Sequence, residues 1–194
     1  MKKLNGLKKI KTAVFISGQG TNLNSLIKFS KNKNSPIVIE KIISDNIKSY
    51  GLNYAKKHNI DKKIFNFKNK TLAEKKVLKL LQINKISLIC LAGFMKILSK
   101  KFIKSFKGKV INIHPSLLPK YKGLNTHERA IDNNEKFSGC TVHYVTSKLD
   151  SGKIIMQKKI KIRKKDTPIT LAKRIQKKEH LLYPASILKI STNL

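Results

Sequence analysis

Short apolar runs alternate along this chain with segments of helical periodicity, and this alternation limits the folds that are available to it. Apolar runs with the length of strands lie at residues 12–17, 37–44, 87–92 and 109–114, with a shorter one at 63–67. Helical patterns lie between them at 22–29, 50–58 and 71–81. Strands that alternate with helices predict an α/β fold with a mostly parallel sheet and crossover helices.

Beyond Pro119 the pattern changes to two predicted strands, at 141–146 and 153–162. The turn SKLDSG joins them, so we expect an antiparallel hairpin that extends the sheet. Thr167 and Pro168 are typical of a helix cap and first turn, and they predict a final helix. We therefore expect one domain over residues 1–194, with a basic N-terminal extension at 1–10 and a short tail at 186–194.

The segment TLAE at 71–74 predicts that one of the helices starts with a capping box. In that motif Thr71 accepts a hydrogen bond from the backbone, and Glu74 reaches back to the N–H of the cap. An apolar stripe follows on this helix, formed by Leu72, Val77, Leu80 and Leu81.

The net charge of +33 suggests a nucleic-acid partner. Of the 43 basic residues, however, 40 are Lys, and only Arg129, Arg163 and Arg174 are Arg. Arg is the preferred residue for bidentate contacts to phosphate and guanine, and the Lys residues are scattered along the chain rather than grouped. We interpret the excess of Lys as the codon bias of an A/T-rich genome. No specific nucleic-acid partner is expected, whereas non-specific electrostatic binding at low salt is expected.

Several further classes of protein are disfavoured by composition. The chain has no run of about 18 apolar residues, so we expect no membrane span. Its basic start lacks the apolar stretch of a secretory signal, so we expect a cytoplasmic protein. Cys90 and Cys140 lie in apolar segments without metal-ligand spacing, so we interpret them as core thiols and expect no metal site.

Two polar side chains stand out on the predicted strand that ends in INIH. Side chains alternate along a strand, so Asn112 and His114 point to one face while Ile111 and Ile113 point to the other. Pro115 ends the strand because it lacks an N–H and has a fixed φ. An amide and an imidazole therefore lie side by side at the carboxyl end of a strand, where open α/β sheets bind ligands. This favours a functional site over a structural His beside a turn.

Three other features are compatible either with a ligand site or with plain structure. The turn SGQGTN presents backbone N–H groups before a helix, which suits a single phosphate, but it lacks the Lys of a P-loop and the third Gly of a dinucleotide motif. Asp150 lies in a turn of a kind that often uses Asp structurally. Glu179 falls on the apolar stripe of the last helix, where a carboxylate is seldom buried without a partner. We therefore expect that the helix end at Glu179 emerges at a cleft or that Glu179 binds a cationic group there.

Five segments in order carry a family resemblance: FISGQGTNL, LAGFMKILS, INIHPSLLPKYKGLNTHERAI, GCTVHYVTSKLDSGKII and QKKEHLLYP. Over about residues 11–185 the chain resembles the phosphoribosylglycinamide formyltransferase family. HPSLLP and LDSG are shared with the wider 10-formyltetrahydrofolate formyltransferase group, whereas KYKGLNTHERAI and EHLLYP favour the glycinamide ribonucleotide branch. The resemblance implies a Rossmann-like fold. It also implies transfer of the formyl group of 10-formyltetrahydrofolate to the amine of 5-phosphoribosylglycinamide in purine biosynthesis.

The resemblance further implies a role for each matching residue. The catalytic residues would be Asn112, His114 and Asp150. The substrate would be bound by Gly20, Thr21, Asn22, Pro115, Gln176, Lys177, Lys178 and Glu179, with Glu179 at the glycinamide amine. The folate would be bound by Asn112 and Asp150 together with Lys70, Met95, Lys96, Ile97, Leu98, Thr146, Ser147, Lys148 and Leu149. Lys70 and Lys96 replace the Arg of the family, Lys122 replaces Pro and Asn125 replaces His.

The implied reaction needs only these residue types. The substrate amine attacks the formyl carbon and creates a tetrahedral oxyanion, to which Asn112 can donate a hydrogen bond. His114 can donate to that oxygen or supply a proton, while ionised Asp150 would orient His114 and help to move the amine proton. The reaction requires 10-formyltetrahydrofolate as co-substrate and neither a metal nor a covalent enzyme intermediate. We expect a monomer or a weak homodimer.

Three other functions stay open at this point. A methionyl-tRNA formyltransferase would explain the basic surface, but that family carries a C-terminal RNA-binding domain for which we see no room. A folate hydrolase would release formate with the same three residues, but that branch carries an N-terminal regulatory domain that we do not find. A plain RNA-binding α/β protein is predicted by the charge but not by the polar residues.

Overall fold

Seven strands form one sheet within residues 9–192, the part of the chain that the computed structural model describes. The strands are β1 (Ile10–Ile16), β2 (Ile37–Ser44), β3 (Lys62–Ile64), β4 (Leu88–Leu91), β5 (Lys109–His114), β6 (Phe137–Tyr144) and β7 (Ile154–Lys161). The helices are α1 (Thr21–Ser30), α2 (Leu52–Lys57), α3 (Lys70–Ile83), α4 (Lys100–Ser105), α5 (Thr126–Asp132) and α6 (Pro168–Ser191). Of the predicted N-terminal extension, residues 1–8 lie outside the described residues.

The strand order of the sheet is β3-β2-β1-β4-β5-β6-β7. Strands β1 to β5 pair in parallel, and β6 pairs antiparallel with both β5 and β7. This confirms the predicted α/β class, a mostly parallel sheet with an antiparallel C-terminal hairpin. The chain crosses outwards from β1 through β2 and, in the other direction, through β4. The carboxyl ends of β1 and β4 therefore flank the crevice in which sheets of this topology bind ligands.

Both faces of the sheet are covered by helices. One core cluster contains Val14 and Ile16 of β1 with apolar side chains of α1 and α6. The other contains the alternate residues Ala13 and Phe15 with side chains of α3 and α4. Burial on both faces explains why the central strands are nearly continuous apolar runs in the sequence.

The two cysteines are free thiols in this core, as predicted. Burial raises the pKa of both the Cys90 and the Cys140 thiol to about 12. Tyr183 of α6 is fully buried nearby. Its hydroxyl lies 3.0 Å from the carbonyl oxygen of Leu91 and 3.2 Å from that of Ile111, so it links α6 to the ends of β4 and β5.

The start of α3 differs from the prediction. Its N-cap is Asn69, whose side chain accepts a hydrogen bond from the N–H of Leu72, so the predicted capping box is wrong. Asn is a stronger N-cap than Thr and is placed where the helix begins, at Lys70. Glu74 is buried and accepts from Ser99 instead, at 2.7 Å from its backbone N and 2.5 Å from its hydroxyl. Leu72 consequently lies on the exposed side of α3.

The remaining differences concern short elements and ends. Helices α4 and α5 have six and seven residues, and no element was predicted at either place, whereas the equally short α2 was predicted. The predicted cap of α6 is confirmed, since Thr167 accepts from the N–H of Thr170. Residues 186–191, where a tail was expected, belong to α6, and Ile187 and Ile190 are buried. None of the helices within the described residues has the length and apolar character of a membrane span.

Candidate active site

The polar pair at the end of β5 opens into a cavity with a volume of about 880 Å³. Asn112 and His114 both line it, as the alternation along the strand predicts. The cavity lies at the carboxyl edge of the parallel strands and extends from Asn22 and Glu179 to Leu149. A cavity of this size can bury a ligand of several hundred daltons.

His114 lies between two hydrogen-bond acceptors. Its Nε2 donates to the backbone carbonyl of Tyr121 over 2.8 Å, and its Nδ1 is 3.3 Å from Oδ2 of Asp150. Only 5% of His114 is exposed. Burial lowers the pKa of the imidazole, and this outweighs the opposing effects of the Tyr121 carbonyl and the Asp150 carboxylate. The neutral ring therefore dominates at neutral pH, with its hydrogen on Nε2 because a carbonyl can only accept.

Asp150 is held as an ionised carboxylate beside His114. Burial alone would raise its pKa, but the contact with the His143 ring, the hydrogen bond from the backbone N–H of Gly123 and the charge of His114 together lower it. The Gly123 N–H donates to Oδ2 over 2.9 Å, and Nε2 of His143 lies 3.6 Å from Oδ1. The residue has a left-handed φ of 43°, which places its side chain inside the turn that follows β6.

Asn112 is oriented by a histidine that the sequence analysis missed. The register of β5 and β6 pairs Asn112 with His143, and the amide Nδ2 lies 3.3 Å from Nε2 of that ring. His143 donates from Nδ1 to the carbonyl of Tyr144 over 2.9 Å, so its Nε2 is the nitrogen that accepts. One hydrogen of the Asn112 amide is thereby used, and the other is available to a ligand in the cavity.

Asn22 and Glu179 mark a second polar region of the cavity. Nδ2 of Asn22 donates to Oε2 of Glu179 over 2.8 Å. Burial raises the pKa of the Glu179 carboxyl, and the bond from Asn22 opposes this only in part. Two buried polar atoms that line the cavity, Oδ1 of Asn22 and Nδ1 of His127, have no hydrogen-bond partner within residues 9–192. Native proteins rarely bury such atoms without a partner, so this region is unusual for a purely structural cluster.

The turn after β1 has the backbone of an anion site. Gly20 is the N-cap of α1 with φ 72°, and no side chain caps this helix. A Cβ atom at Gly20 would lie 2.5 Å from Cα of Gly51, so only glycine fits there. The first N–H groups of α1 are therefore available to an anion. Gly20 and Thr21 precede Asn22 directly but do not line the cavity themselves.

Two loops form the apolar walls of the cavity. Met95, Lys96, Ile97 and Leu98 follow β4, and Thr146, Lys148 and Leu149 follow β6. The first loop is fixed at one end by the hydroxyl of Ser17, which accepts from the N–H of Met95 over 2.8 Å. It is fixed at the other end by the Ser99–Glu74 contact.

Some of the predicted site residues are not brought to the cavity. Lys70 is exposed at the first residue of α3, and Ser147 is exposed at the tip of its loop, so neither lines it. Gln176, Lys177 and Lys178 precede Glu179 on α6 and also lie outside the lining, whereas Pro115 lines it. The lining includes residues that the sequence analysis did not single out, namely Gly123, Leu124, Thr126, His127 and His143. Within residues 9–192 no cluster of His, Cys, Asp and Glu could hold a metal ion.

The sheet topology and the polar residues at the cavity agree with what known proteins of similar sequence indicate. Residues 10–187 match the formyl transferase family, and the chain belongs to that family. It is 42% identical over 180 residues to the phosphoribosylglycinamide formyltransferase of Haemophilus influenzae, covering 91% of this chain and 85% of that protein. It is 38% identical over 188 residues to the human trifunctional purine biosynthetic protein adenosine-3. The chain spans 19% of the length of that protein and of its bovine and chicken counterparts.

Solved structures show the same likeness. The phosphoribosylglycinamide formyltransferase of Anaplasma phagocytophilum superposes with a TM-score of 0.89 at 42% identity, covering 96% of this chain and 88% of that one. The enzyme of Brucella melitensis superposes with a TM-score of 0.90 at 40% identity, covering 95% and 96% of the two chains. The Rossmann-like fold implied by the sequence resemblance is therefore confirmed.

Proposed function

We propose that this protein transfers the formyl group of 10-formyltetrahydrofolate to the amine of 5-phosphoribosylglycinamide, a step of purine biosynthesis. The observation that carries the proposal is the grouping of Asn112, His114 and Asp150 at the wall of one large cavity. Membership of the formyl transferase family and the names of the similar proteins support it.

The nucleotide substrate is proposed to bind along α1 and α6. Its phosphate would be held by N–H groups at the start of α1, at Gly20, Thr21 and Asn22, where the helix dipole favours an anion. Its amine would be placed against Glu179, whose buried carboxylate has, within residues 9–192, only the neutral amide of Asn22 as a partner. We keep Gln176, Lys177 and Lys178 as weaker substrate candidates, acting near the phosphate from outside the cavity lining.

The folate is proposed to bind between the two apolar loops. A flat ring and its linker suit walls made of Met95, Ile97 and Leu149, with backbone groups that can fix orientation. The bound folate supplies the formyl group on N10. Lys96 lies at this wall with its ammonium group 3.7 Å from Asp45, and Lys70 is assigned to the outer, charged end of the folate.

Asn112 is proposed to stabilise the charge that develops in the reaction. When the substrate nitrogen attacks the formyl carbon, the carbonyl oxygen becomes an oxyanion. The free amide hydrogen of Asn112 is the preorganised donor for this oxygen, since His143 holds the other. Such a donor contributes about 2.7–4 kcal/mol to transition-state stabilisation.

His114 and Asp150 are proposed to move the proton. The attacking amine must lose a proton, and N10 of the folate must gain one before it leaves. The ionised Asp150 carboxylate accepts the first proton, directly or through water, and the adjacent Nδ1 of His114 shares it over 3.3 Å. The same proton is returned to N10 as the C–N bond breaks, so the enzyme ends in its starting state.

The protein is further proposed to act in the cytoplasm as a monomer or a weak homodimer. Both edges of the sheet are unsuited to strand pairing with a second copy. The edge strand β7 carries Lys158, Lys159 and Lys161, and β3 at the other edge has only three residues.

The test is formyl transfer from 10-formyltetrahydrofolate to 5-phosphoribosylglycinamide, followed by folate absorbance. Wild type should turn over, and His114→Ala should lower kcat by at least about 100-fold while its circular dichroism stays unchanged. His58→Ala is the matched control, because His58 is the half-buried C-cap residue of α2 and does not line the cavity.

Each alternative has its own outcome in this assay. Release of formate from 10-formyltetrahydrofolate in the absence of the ribonucleotide would indicate a folate hydrolase. Formyl transfer to methionyl-tRNA alone would indicate a methionyl-tRNA formyltransferase. Absence of all three activities from folded protein would overturn the proposal. RNA binding that disappears at moderate salt would be the non-specific binding expected of the charge.

A further inference from the structure

Tyr121 has an unusual backbone conformation at the point where it contacts His114. Its φ is 56°, in the left-handed region that bulky side chains seldom adopt, at a cost of about 1–2 kcal/mol. This conformation directs its carbonyl oxygen to Nε2 of His114 at 2.8 Å. Strain of this kind persists only where surrounding contacts enforce it, and it clusters at functional sites.

Two charged side chains hold the ring of Tyr121. Its hydroxyl donates to Oε1 of Glu135 over 3.0 Å. The guanidinium carbon of Arg129 lies 5.1 Å from the ring centroid, within the range of a cation–π contact. We call Tyr121, Arg129 and Glu135 the Tyr121 clamp.

The clamp also fixes the loop that holds Asp150. Nη1 of Arg129 donates to the carbonyls of Lys122 and Leu124 at 2.8 and 3.3 Å, on either side of Gly123. The N–H of Gly123 in turn donates to Oδ2 of Asp150. One cluster of side chains outside the cavity lining therefore sets both polar neighbours of the His114 ring, the Tyr121 carbonyl at Nε2 and Asp150 at Nδ1.

We propose that Glu135 and Arg129 are positioning residues that act through the backbone at Tyr121 and Gly123 to hold His114 with its hydrogen on Nε2. The catalytic role of this positioning rests on the proposed function, whereas the orientation of the His114 ring does not depend on that function. With Nε2 committed to a carbonyl, Nδ1 is the nitrogen that exchanges a proton with Asp150. Loss of the clamp frees the carbonyl, and the ring can then turn or place its hydrogen on Nδ1.

The experiment compares four variants with wild type. Glu135→Ala removes the acceptor of the Tyr121 hydroxyl, and Tyr121→Phe removes the donor while keeping the ring. Glu135→Gln keeps an acceptor and is the conservative rescue. Lys120→Met is the matched control, because the exposed Lys120 side chain contacts the same Oε1 atom of Glu135 and is not part of the Tyr121 clamp.

Two readouts are made on each protein. The first is kcat and KM for both substrates of formyl transfer. The second is the ¹⁵N chemical shifts of the histidine ring nitrogens between pH 5 and 9, with His114 assigned by a His114→Gln variant and no substrate present. Charged and titratable groups that face His114 are Asp150, His127, His143 and Arg129, and the control variant leaves all of them in place.

Glu135→Ala and Tyr121→Phe are expected to lower kcat by roughly 10- to 100-fold, with both KM values within about twofold, because a misplaced catalytic group costs rate. The ¹⁵N shifts should move from an Nε2–H ring toward a mixture of tautomers, and Glu135→Gln and Lys120→Met should resemble wild type. A normal kcat in Glu135→Ala, or a low kcat with unchanged His114 shifts, would overturn the inference. An inactive wild type with the expected shifts would instead count against the proposed function alone.

Discussion

Asn22 donates a hydrogen bond to Glu179 across 157 residues of sequence, and this bond joins the first helix to the last at the wall of the cavity. Glu179 is 8% exposed and has no cationic partner among the described residues. A buried carboxylate paired only with a neutral amide is costly. This cost supports the role proposed above for Glu179 in binding the substrate amine.

Glu179→Gln should therefore stabilise the free protein and impair it as an enzyme. Removal of the buried charge is expected to raise the free energy of unfolding by roughly 1 kcal/mol at pH 8, a typical gain at a site where function opposes stability. The KM for the ribonucleotide should rise while the KM for formyl-folate stays unchanged. Urea unfolding and steady-state kinetics measure the two effects.

The same carboxylate gives a pH dependence of definite sign. Burial raises the pKa of Glu179 above 4.5, so the folded state holds this proton more tightly than the unfolded state does. Its contribution to stability is present below pH 4.5 and is lost as the pH rises through the raised value. In Glu179→Gln this loss should disappear, and equal stability differences at pH 4 and pH 8 would contradict the assignment.

Asn112→Ala should separate oxyanion stabilisation from binding. We expect kcat to fall by about 100- to 1000-fold, the usual cost of one oxyanion donor, with little change in either KM. Asn53→Ala, at an exposed position of α2, is the control. A fall in affinity with an unchanged kcat would show instead that Asn112 serves only to bind.

Glu74→Ala should loosen the loop at 95–98. The N–H of Ser99 then loses its acceptor, which costs about 1–3 kcal/mol if the group stays buried. The KM for formyl-folate should rise about tenfold, since 1.4 kcal/mol of that cost corresponds to a factor of ten. Glu74→Gln retains one acceptor and should have a smaller effect. An unchanged folate KM in Glu74→Ala would mean that Ser17 alone fixes this loop.

Tyr183→Phe should affect stability without affecting catalysis. The Tyr183 hydroxyl donates to the carbonyl oxygens of Leu91 and Ile111. Its removal takes this donor away from two buried oxygens. We expect the free energy of unfolding to fall by about 1–2 kcal/mol with an unchanged urea m-value. Kinetic constants that change more than twofold would place Tyr183 in the function of the site.

Much of the fold could be predicted because the sheet is covered on both faces. Apolar runs then mark the strands directly, and the bounds predicted for β2 and β5 agree with the structure. Helices α4 and α5 were not predicted, and each has fewer than two turns in which to show a period. Helix α2 is as short, but it lies within a longer segment of helical pattern at 50–58 and was predicted. The start of α3 was misplaced because Asn69 and Thr71 are both good caps, and only the contact of Glu74 with the distant Ser99 decides between them.

Site residues could be predicted where the alternation of side chains along one strand places them. They could not be predicted where their position depends on contact between two distant segments of the chain. Asn112 and His114 share a face by geometry alone. His143 depends on the register between β5 and β6, which no local pattern reveals. Gly123 lies in a loop that Arg129 fixes through the Lys122 and Leu124 carbonyls, and His127 lies in the short helix α5, which was not predicted.

The buried thiols make the chain convenient for spectroscopic labelling. Cys90 and Cys140 are its only two cysteines, and neither presents a thiolate to a maleimide at neutral pH. A single cysteine introduced at exposed Lys122 would therefore be the one position that a fluorescent dye reaches, in an otherwise native sequence. Movements of the loop beside the cavity could then be followed in real time during turnover.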